Sequence, residues 1–345
     1  MILNILDENR ELIDIIRFYD SCLWTRKYRD VGGCVLTITP TYELVNMFMN
    51  EAKYISRDDD PMITEIKNIR ISMDITTGKY SMTITCLGVE AVFNQRIVFV
   101  PTNLNTTAEI FMRTLVLEKM IEPVLDVRKI DHIVLGSLKG YQDIISKQVT
   151  YDEILTVIIE LCATYNYGFR LVPLSNGNLA LEFYKGRDFT ENNVEGNDAI
   201  VFSKDYNNLL SFDYEIDYST YKNFTLVGGE GEGTARKLVA VGNIPGKDRY
   251  ETFTDASGLS SENLSTTEYN EELKEAGIND LSLKSTTHIF NCKIDITQYN
   301  YREDFDVGDK VTIIGDFGLK LDATIVEVIE AKDSSPYRVS VVLEI

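Results

Sequence analysis

Four glycines fall within six positions of Leu226–Leu238, "LVGGEGEGTARKL", a density that a phosphate-cradling loop would need. Such a loop converges backbone N–H groups at a helix start and adds a Lys or Arg to hold the charge. Here Glu230 and Glu232 stand between the glycines, where their carboxylates would repel a phosphate. The spacing matches neither G-x-G-x-x-G nor G-x-x-x-x-G-K-[ST], and no helix signal follows. A tightly turning loop between two strands is the favoured reading. Histidine chemistry has few possible members, because His132 and His288 are the only two in the chain. Neither has a second ligand at i+2 or i+4, so each reads as a strand-edge or satisfied core histidine. Asp58-Asp59-Asp60 before Pro61 lacks the spaced oxygens and turn glycine of a calcium loop and reads as a solvated acidic loop. Paired carboxylates for glycoside hydrolysis stay open among 54 acids, but nothing selects one pair. No catalytic, cofactor-binding or metal-binding residue is therefore singled out, and no cofactor is expected.

Composition bounds the rest. A chain of 345 residues can bury a large core in two or three domains. Its formal charge of -20 disfavours a stable counterion-release grip on nucleic acid or on an anionic membrane, so protein partners are expected. No apolar run approaches the ~20 residues of a membrane span, and the first residues carry acids where a signal peptide has Lys and Arg. Cys22, Cys34, Cys86, Cys162 and Cys292 are odd in number, scattered and without C-x-x-C spacing. They read as small core residues rather than a disulfide framework or zinc site. Nineteen tyrosines, notably in "SFDYEIDYSTY" (211–221) and "QYNYREDF" (298–305), suit either strands or interfaces.

The elements that would position these residues are mostly strands. Cys34, Leu36 and Ile38 alternate with Val35, Thr37 and Thr39 after a Gly-Gly break. Ile69, Ile71, Met73 and Ile75, then Tyr80, Met82, Ile84 and Cys86, predict a hairpin turned at Thr77-Gly78-Lys79 with one wet face. Thr106-x-x-Glu109 predicts a capping box before a helix closed by Pro123. Thr150-x-x-Glu153 predicts another before an all-round apolar, buried helix ending near Gly168. A hairpin turns at Asn176-Gly177. Ser265-x-x-Glu268 caps one helix before Gly277 inside a polar insertion of about 242–285. The fold class is α+β and β-rich, with short strands and long excursions.

Trp24, Tyr28, Gly33 and Leu36, followed by the Ile69–Cys86 hairpin leading into "LGVEAVFNQRIVF", resemble the baseplate-hub and tail-tip proteins of phages infecting Gram-positive bacteria and of phage-tail-like bacteriocins. In that pattern a Trp and an Arg-Tyr pair precede a Gly and an apolar strand, and a later strand ends near an Arg. Lys27 replaces the first Arg here, and Arg96 fits the second. The loop Gly228–Arg236 and "DFDVGDKVTI", Asp304–Ile313, recur in similar order. The resemblance implies a non-enzymatic structural hub with two barrel-like β domains per chain. It implies a homotrimer that adapts a six-fold tail tube to a three-fold spike or tip, in a virion tail or tail-like particle assembled in the bacterial cytoplasm. Its implied partners are the tail tube protein, a spike or tip protein, a baseplate wedge or distal tail protein, and the tape-measure protein. Residues 1–100 would form the first barrel, completed by strands of about 198–241. Residues 101–197 would form the α/β part of the second, 242–285 an insertion facing a neighbour, and 286–345 the strands that complete the second barrel. The chain ends soon after its last strands, as a hub alone would. Two other classes stay in view: a carbohydrate- or peptidoglycan-active enzyme using a carboxylate pair, and a tyrosine-rich carbohydrate-binding or adhesin module.

Overall fold

A computed structural model describes residues 1–262, 264–295 and 298–345. Period-two patterning dominates it. In Gly33–Ile38 the residues Cys34, Leu36 and Ile38 are buried and the intervening ones half-buried, as the alternation predicts. Strands of this kind join into one fourteen-stranded sheet that curls as a half-barrel. Its main path runs Leu209–Asp217, Thr287–Ile294, Arg338–Glu344, Lys320–Lys332, Ser21–Lys27, Gly33–Ile38, Tyr80–Gly88, Asp60–Met73, Tyr54–Arg57, Leu3–Leu6 and Leu12–Ile16. Lys310–Ile314 pairs with Lys320–Lys332 and holds Asp188–Phe189 and Val201–Ser203 in parallel. The two ends of the chain thus meet in mid-sheet, where Glu330 lies opposite Trp24 and Val328 opposite Arg26. The fold is α+β and rich in strand.

Four α-helices are added among the described residues: α1 (Tyr42–Asn50), α2 (Ala108–Val116), α3 (Ile154–Tyr165) and α4 (Thr266–Leu283). Helices α2 and α3 cover a small sheet of Ile133–Leu135, Gly168–Pro173 and Leu179–Tyr184, burying Phe111, Leu115, Leu161, Phe169 and Phe183. Another three-stranded sheet, Leu238–Val241, Phe224–Gly228 and Glu251–Asp255, packs against α4 through Val227, Tyr269 and Leu273. Separate clusters lie under the N-terminal strands, around Trp24, Leu36 and Ile84, and under the C-terminal ones, around Phe202, Phe290 and Ile325.

Several expectations are corrected. Thr107, not Thr106, caps α2, its hydroxyl accepting the Ile110 N–H at 3.3 Å. Glu109 is buried and instead accepts the backbone N–H groups of Lys139, Gly140 and Tyr141. No Thr150–Glu153 box forms, because Glu153 itself occupies the cap position of α3 and Tyr151 takes a left-handed φ of 64°. The Ser265–Glu268 box is present with both arms, at 2.7 and 3.2 Å. Helix α4 nevertheless continues through Gly277 to Leu283. A Cβ there would sit 2.6 Å from Val227 Cγ2, so this glycine serves close helix–sheet packing rather than a stop. Val201–Ser203 and Leu209–Asp217, expected to complete the first barrel, hydrogen-bond to Lys310–Ile314 and Thr287–Ile294 in the C-terminal part. Phe224–Gly228 pairs instead with Leu238–Val241 on one side and with Glu251–Asp255 of the 242–285 stretch on the other.

Candidate assembly surfaces and the charge network at the seam

Arg26 follows Cys22 and Trp24 on the buried side of its strand, and Arg57 and Glu330 likewise sit in phase with buried Ile55 and Val328. Charges at core positions require partners, since burial penalises each ion by several kcal/mol unless it is paired. Arg57 meets both carboxylate oxygens of Glu330, at 2.9 and 3.2 Å, and both of Asp59, at 2.8 and 2.6 Å. Its guanidinium lies 5.3 Å from the Trp24 ring centroid. Arg302 reaches in from the 298–309 loop to Glu330, to Asp60 at 2.9 Å and to the Asp59 carbonyl at 2.6 Å. Arg26 donates to Asp306 at 2.9 Å, Trp24 Nε1 donates to Asp60 at 3.1 Å, and the Tyr337 hydroxyl donates to Glu330. Burial opposes the charge on Arg26, but Tyr301, Asp306 and Asp60 outweigh it and hold the group above its ordinary range. The hydrogen bond from Arg57, against opposing burial, keeps the Asp59 carboxyl below the usual range.

Three guanidinium groups and four carboxylates therefore pair across the seam, with Arg302 Nε left without a hydrogen-bond partner. Through Arg302 and Asp306 the network ties the 298–309 loop to the junction. Of Asp58–Asp60, expected to be solvated, Asp58 and Asp59 are exposed and Asp58 accepts from Asn4, whereas Asp60 is buried at the centre of the network, which corrects the expectation for that residue. Sequence reasoning passed over Arg26, Arg57, Arg302 and Glu330. The available signal was a charged residue falling in phase with a buried stripe.

The motif residues are packing devices. Gly168 and Gly308 both lie against the Tyr28 ring, where a Cβ would approach to 2.5 Å, and the Tyr28 hydroxyl donates to the Asn166 carbonyl at 2.9 Å. A Cβ on Gly33 would meet the Cys86 carbonyl at 2.5 Å. Lys27 pairs with Asp30 at 2.9 Å, and Arg96 Nε donates to the Arg128 carbonyl at 2.8 Å. The Gly228–Arg236 loop closes on itself. Arg236 donates to the carbonyls of Gly228 and Gly229 and to Asp255, and Glu230 accepts from the Ser261 N–H and hydroxyl. Only the three-residue turn Gly233–Ala235 follows, so the cradle expected of a phosphate loop is missing among the described residues. His288 shares a 2.8 Å hydrogen bond with the Tyr214 hydroxyl, and His132 lies on a cleft in a left-handed conformation. All five cysteines are free and buried. Among the described residues no group of three His, Cys, Asp or Glu is arranged to hold a metal ion, and no helix is long and apolar enough to cross a membrane.

Unpaired backbone is the sheet's other conspicuous feature. Leu209–Asp217 has a strand partner on one side only, with Leu210, Ile216 and the following Tyr218 exposed. Asp60–Met73 pairs with Tyr54–Arg57 only as far as Glu65, leaving the outer edge of residues 67–73 without a strand neighbour among the described residues. That hairpin carries an apolar row, Ile69 opposite Ile84, Ile71 opposite Met82 and Met73 opposite Tyr80. The row becomes more exposed towards the tip, from Ile71 at 40% to Ile75 at 88%. Unpaired edges of this length template pairing with another chain unless they are covered.

A family model described as siphovirus ReqiPepy6 Gp37-like protein matches residues 2–343. The chain belongs to that family. Solved structures share its fold at low identity. A tail protein from Neisseria meningitidis MC58 aligns over 99% of this chain and 96% of its own, with 10% identity and a TM-score of 0.57. A 43 kDa tail protein of prophage MuSo2 from Shewanella oneidensis aligns over 100% and 98%, at 12% identity and a TM-score of 0.58. Prophage tail protein gp18 from Listeria monocytogenes EGD-e aligns over 99% and 94%, at 14% and 0.53. No curated protein matches the chain. The family is thus that of the siphovirus Gp37-like proteins, and the fold is one shared with phage tail proteins.

Proposed function

We propose that this chain is the structural, non-enzymatic hub of a phage tail, a ring of three copies that adapts a six-fold tail tube to a three-fold spike or tip. The observation that carries the reading is that one continuous sheet leaves Leu209–Asp217 and residues 67–73 each with an unpaired edge among the described residues, besides that of the terminal strand Leu12–Ile16. If Leu209–Asp217 of one copy lies beside residues 67–73 of the next, the contact is head-to-tail, and a closing rotation makes a ring. In this reading each chain supplies two barrel-like units joined at the charged seam, the N-terminal strands to Gly88 and the C-terminal strands with 188–217. Three copies then present six units to the tube. The hairpin tip around Ile75 faces the tube protein, and the spike or tip protein, a wedge or distal tail protein and the tape measure are further partners. The particle would be a virion tail or a tail-like bacteriocin. Support comes from the family and from the shared fold.

Light scattering over a wide protein concentration range, with and without tail-tube protein, tests this. The expected result is assembly to trimers that Ile71→Lys with Met73→Lys abolishes without loss of fold. A persistent monomer indifferent to the tube contradicts it.

A further inference from the structure

A cleft of about 360 Å³ opens where the N-terminal turn of residues 8–10, the start of Tyr54–Arg57 and the turn of residues 89–95 meet residues 130–133 and 176–179. Its volume lies in the range of small-molecule sites. Arg10, itself left-handed with φ 64°, closes one side by donating from Nη2 to the Gly177 carbonyl at 2.5 Å. His132, at φ 67°, is a second left-handed residue on the same wall. Two such backbones on one cleft are held there by their surroundings, since each costs free energy on its own.

The lining decides the class of ligand. Val89, Val92, Ile130 and Leu179 supply apolar surface, and Tyr54 supplies a half-buried ring. The Tyr54 hydroxyl, the Gln95 amide and the His132 imidazole line the cleft and have no hydrogen-bond partner among the described residues, so their donors and acceptors are open to a ligand. The charges, by contrast, are matched. Glu65 is held by Lys53 at 2.9 Å and Lys67 at 2.6 Å, Asp131 by Lys129 at 3.6 Å, and the remaining carboxylate, Glu8, shares the cleft wall with Arg10. A charged ligand gains little from a balanced wall. A neutral molecule with many hydroxyls and an apolar ring face gains from the open polar groups and from the aromatic surface.

We propose that this cleft binds a neutral saccharide, with Tyr54 as the stacking surface and Gln95 and His132 as hydrogen-bonding partners for its hydroxyls. The site is independent of the strand edges, so it can hold whether or not the chain forms a ring. Saturation-transfer NMR on the full chain tests it, using glucose, galactose, rhamnose and N-acetylglucosamine beside charged glucosamine and glucuronate. The expected result is saturation of at least one neutral sugar in preference to both charged ones. Its affinity should fall at least about tenfold in Gln95→Ala and in Tyr54→Ala, with circular dichroism and thermal midpoint showing the variants folded. Gln95 is exposed on a short turn, so its variant decides the matter if Tyr54→Ala fails to fold. Absence of saturation by every neutral sugar, preference for a charged one, or unchanged affinity in Gln95→Ala would overturn the proposal.

Discussion

Glu330 shows how a single residue sets the cost of the seam. Its carboxylate is shared by Arg57, Arg302 and Tyr337 in a nearly water-free setting. Removing it leaves two guanidinium groups short of a counter-charge, and breaking a buried pair from one side costs about 3–5 kcal/mol. Glu330→Gln is therefore expected to lower stability by that order in urea unfolding, whereas a change below about 1 kcal/mol would mean that water already reaches the network. Asp59 and Glu90 give opposite pH signatures. Asp59 has a depressed native pKa, so its stabilisation is present above the ordinary carboxylate range and is lost as pH falls through the native value. Burial raises the Glu90 pKa, with one oxygen accepting the Leu171 N–H and the other unpartnered. Its favourable contribution exists below the ordinary range and is lost as pH rises through the native pKa. Glu90→Gln should therefore raise the thermal midpoint at pH 7 and lose that advantage near pH 4. An equal shift at both pH values would show that the native pKa of Glu90 is not raised above its unfolded value.

At the scale of elements, α4 gives a test that separates packing from propensity. Gly277→Ala improves helix propensity, yet its Cβ would fall 2.6 Å from Val227 and 2.8 Å from Val241. Overpacking of this kind costs about 1–3 kcal/mol, so the variant should be less stable despite the better helix former. Ser265→Ala removes one arm of the capping box and should cost about 1 kcal/mol. A stabilised Gly277→Ala variant would show that the helix can move off its sheet. The Glu230→Ala, Glu232→Ala double variant should stay folded and show no thermal protection by ATP. Such protection would revive the phosphate-loop reading.

These elements also show what the chain made legible. Period two located Gly33–Ile38 and the Ile69–Cys86 hairpin because one face of each is dry. The Ser265 cap was readable because its box is local. The caps of α2 and α3 were misplaced because Thr107 and Glu153 compete with equally plausible neighbours one to three positions away. The saccharide cleft and the charge network were not readable as sites. Their members, from Arg10 to Leu179 and from Trp24 to Tyr337, come together only through strand pairings with no local signature. Strand partners were hidden for the same reason: nothing in Leu209–Asp217 says that it pairs with Thr287–Ile294 rather than with the N-terminal strands.

For the whole molecule, the formal charge of -20 and the free edges of Leu209–Asp217 and residues 67–73 make one joint prediction. A channel that passes DNA cannot be lined with Lys and Arg without trapping phosphates, because each neutralised phosphate adds counterion-release affinity. The ring should therefore line its hole with Asp, Glu and uncharged polar residues and turn its basic residues towards protein partners. A continuous Lys and Arg belt on the channel wall would refute this, even if the ring itself forms. The assembly is tested most directly by electron cryomicroscopy of the purified chain mixed with its tail-tube protein. The account predicts a three-fold ring with a central hole, in which Leu209–Asp217 of each copy runs beside residues 67–73 of the next. Particles that remain monomeric on the tube, or a ring whose copies leave both strand edges in solvent, would contradict it.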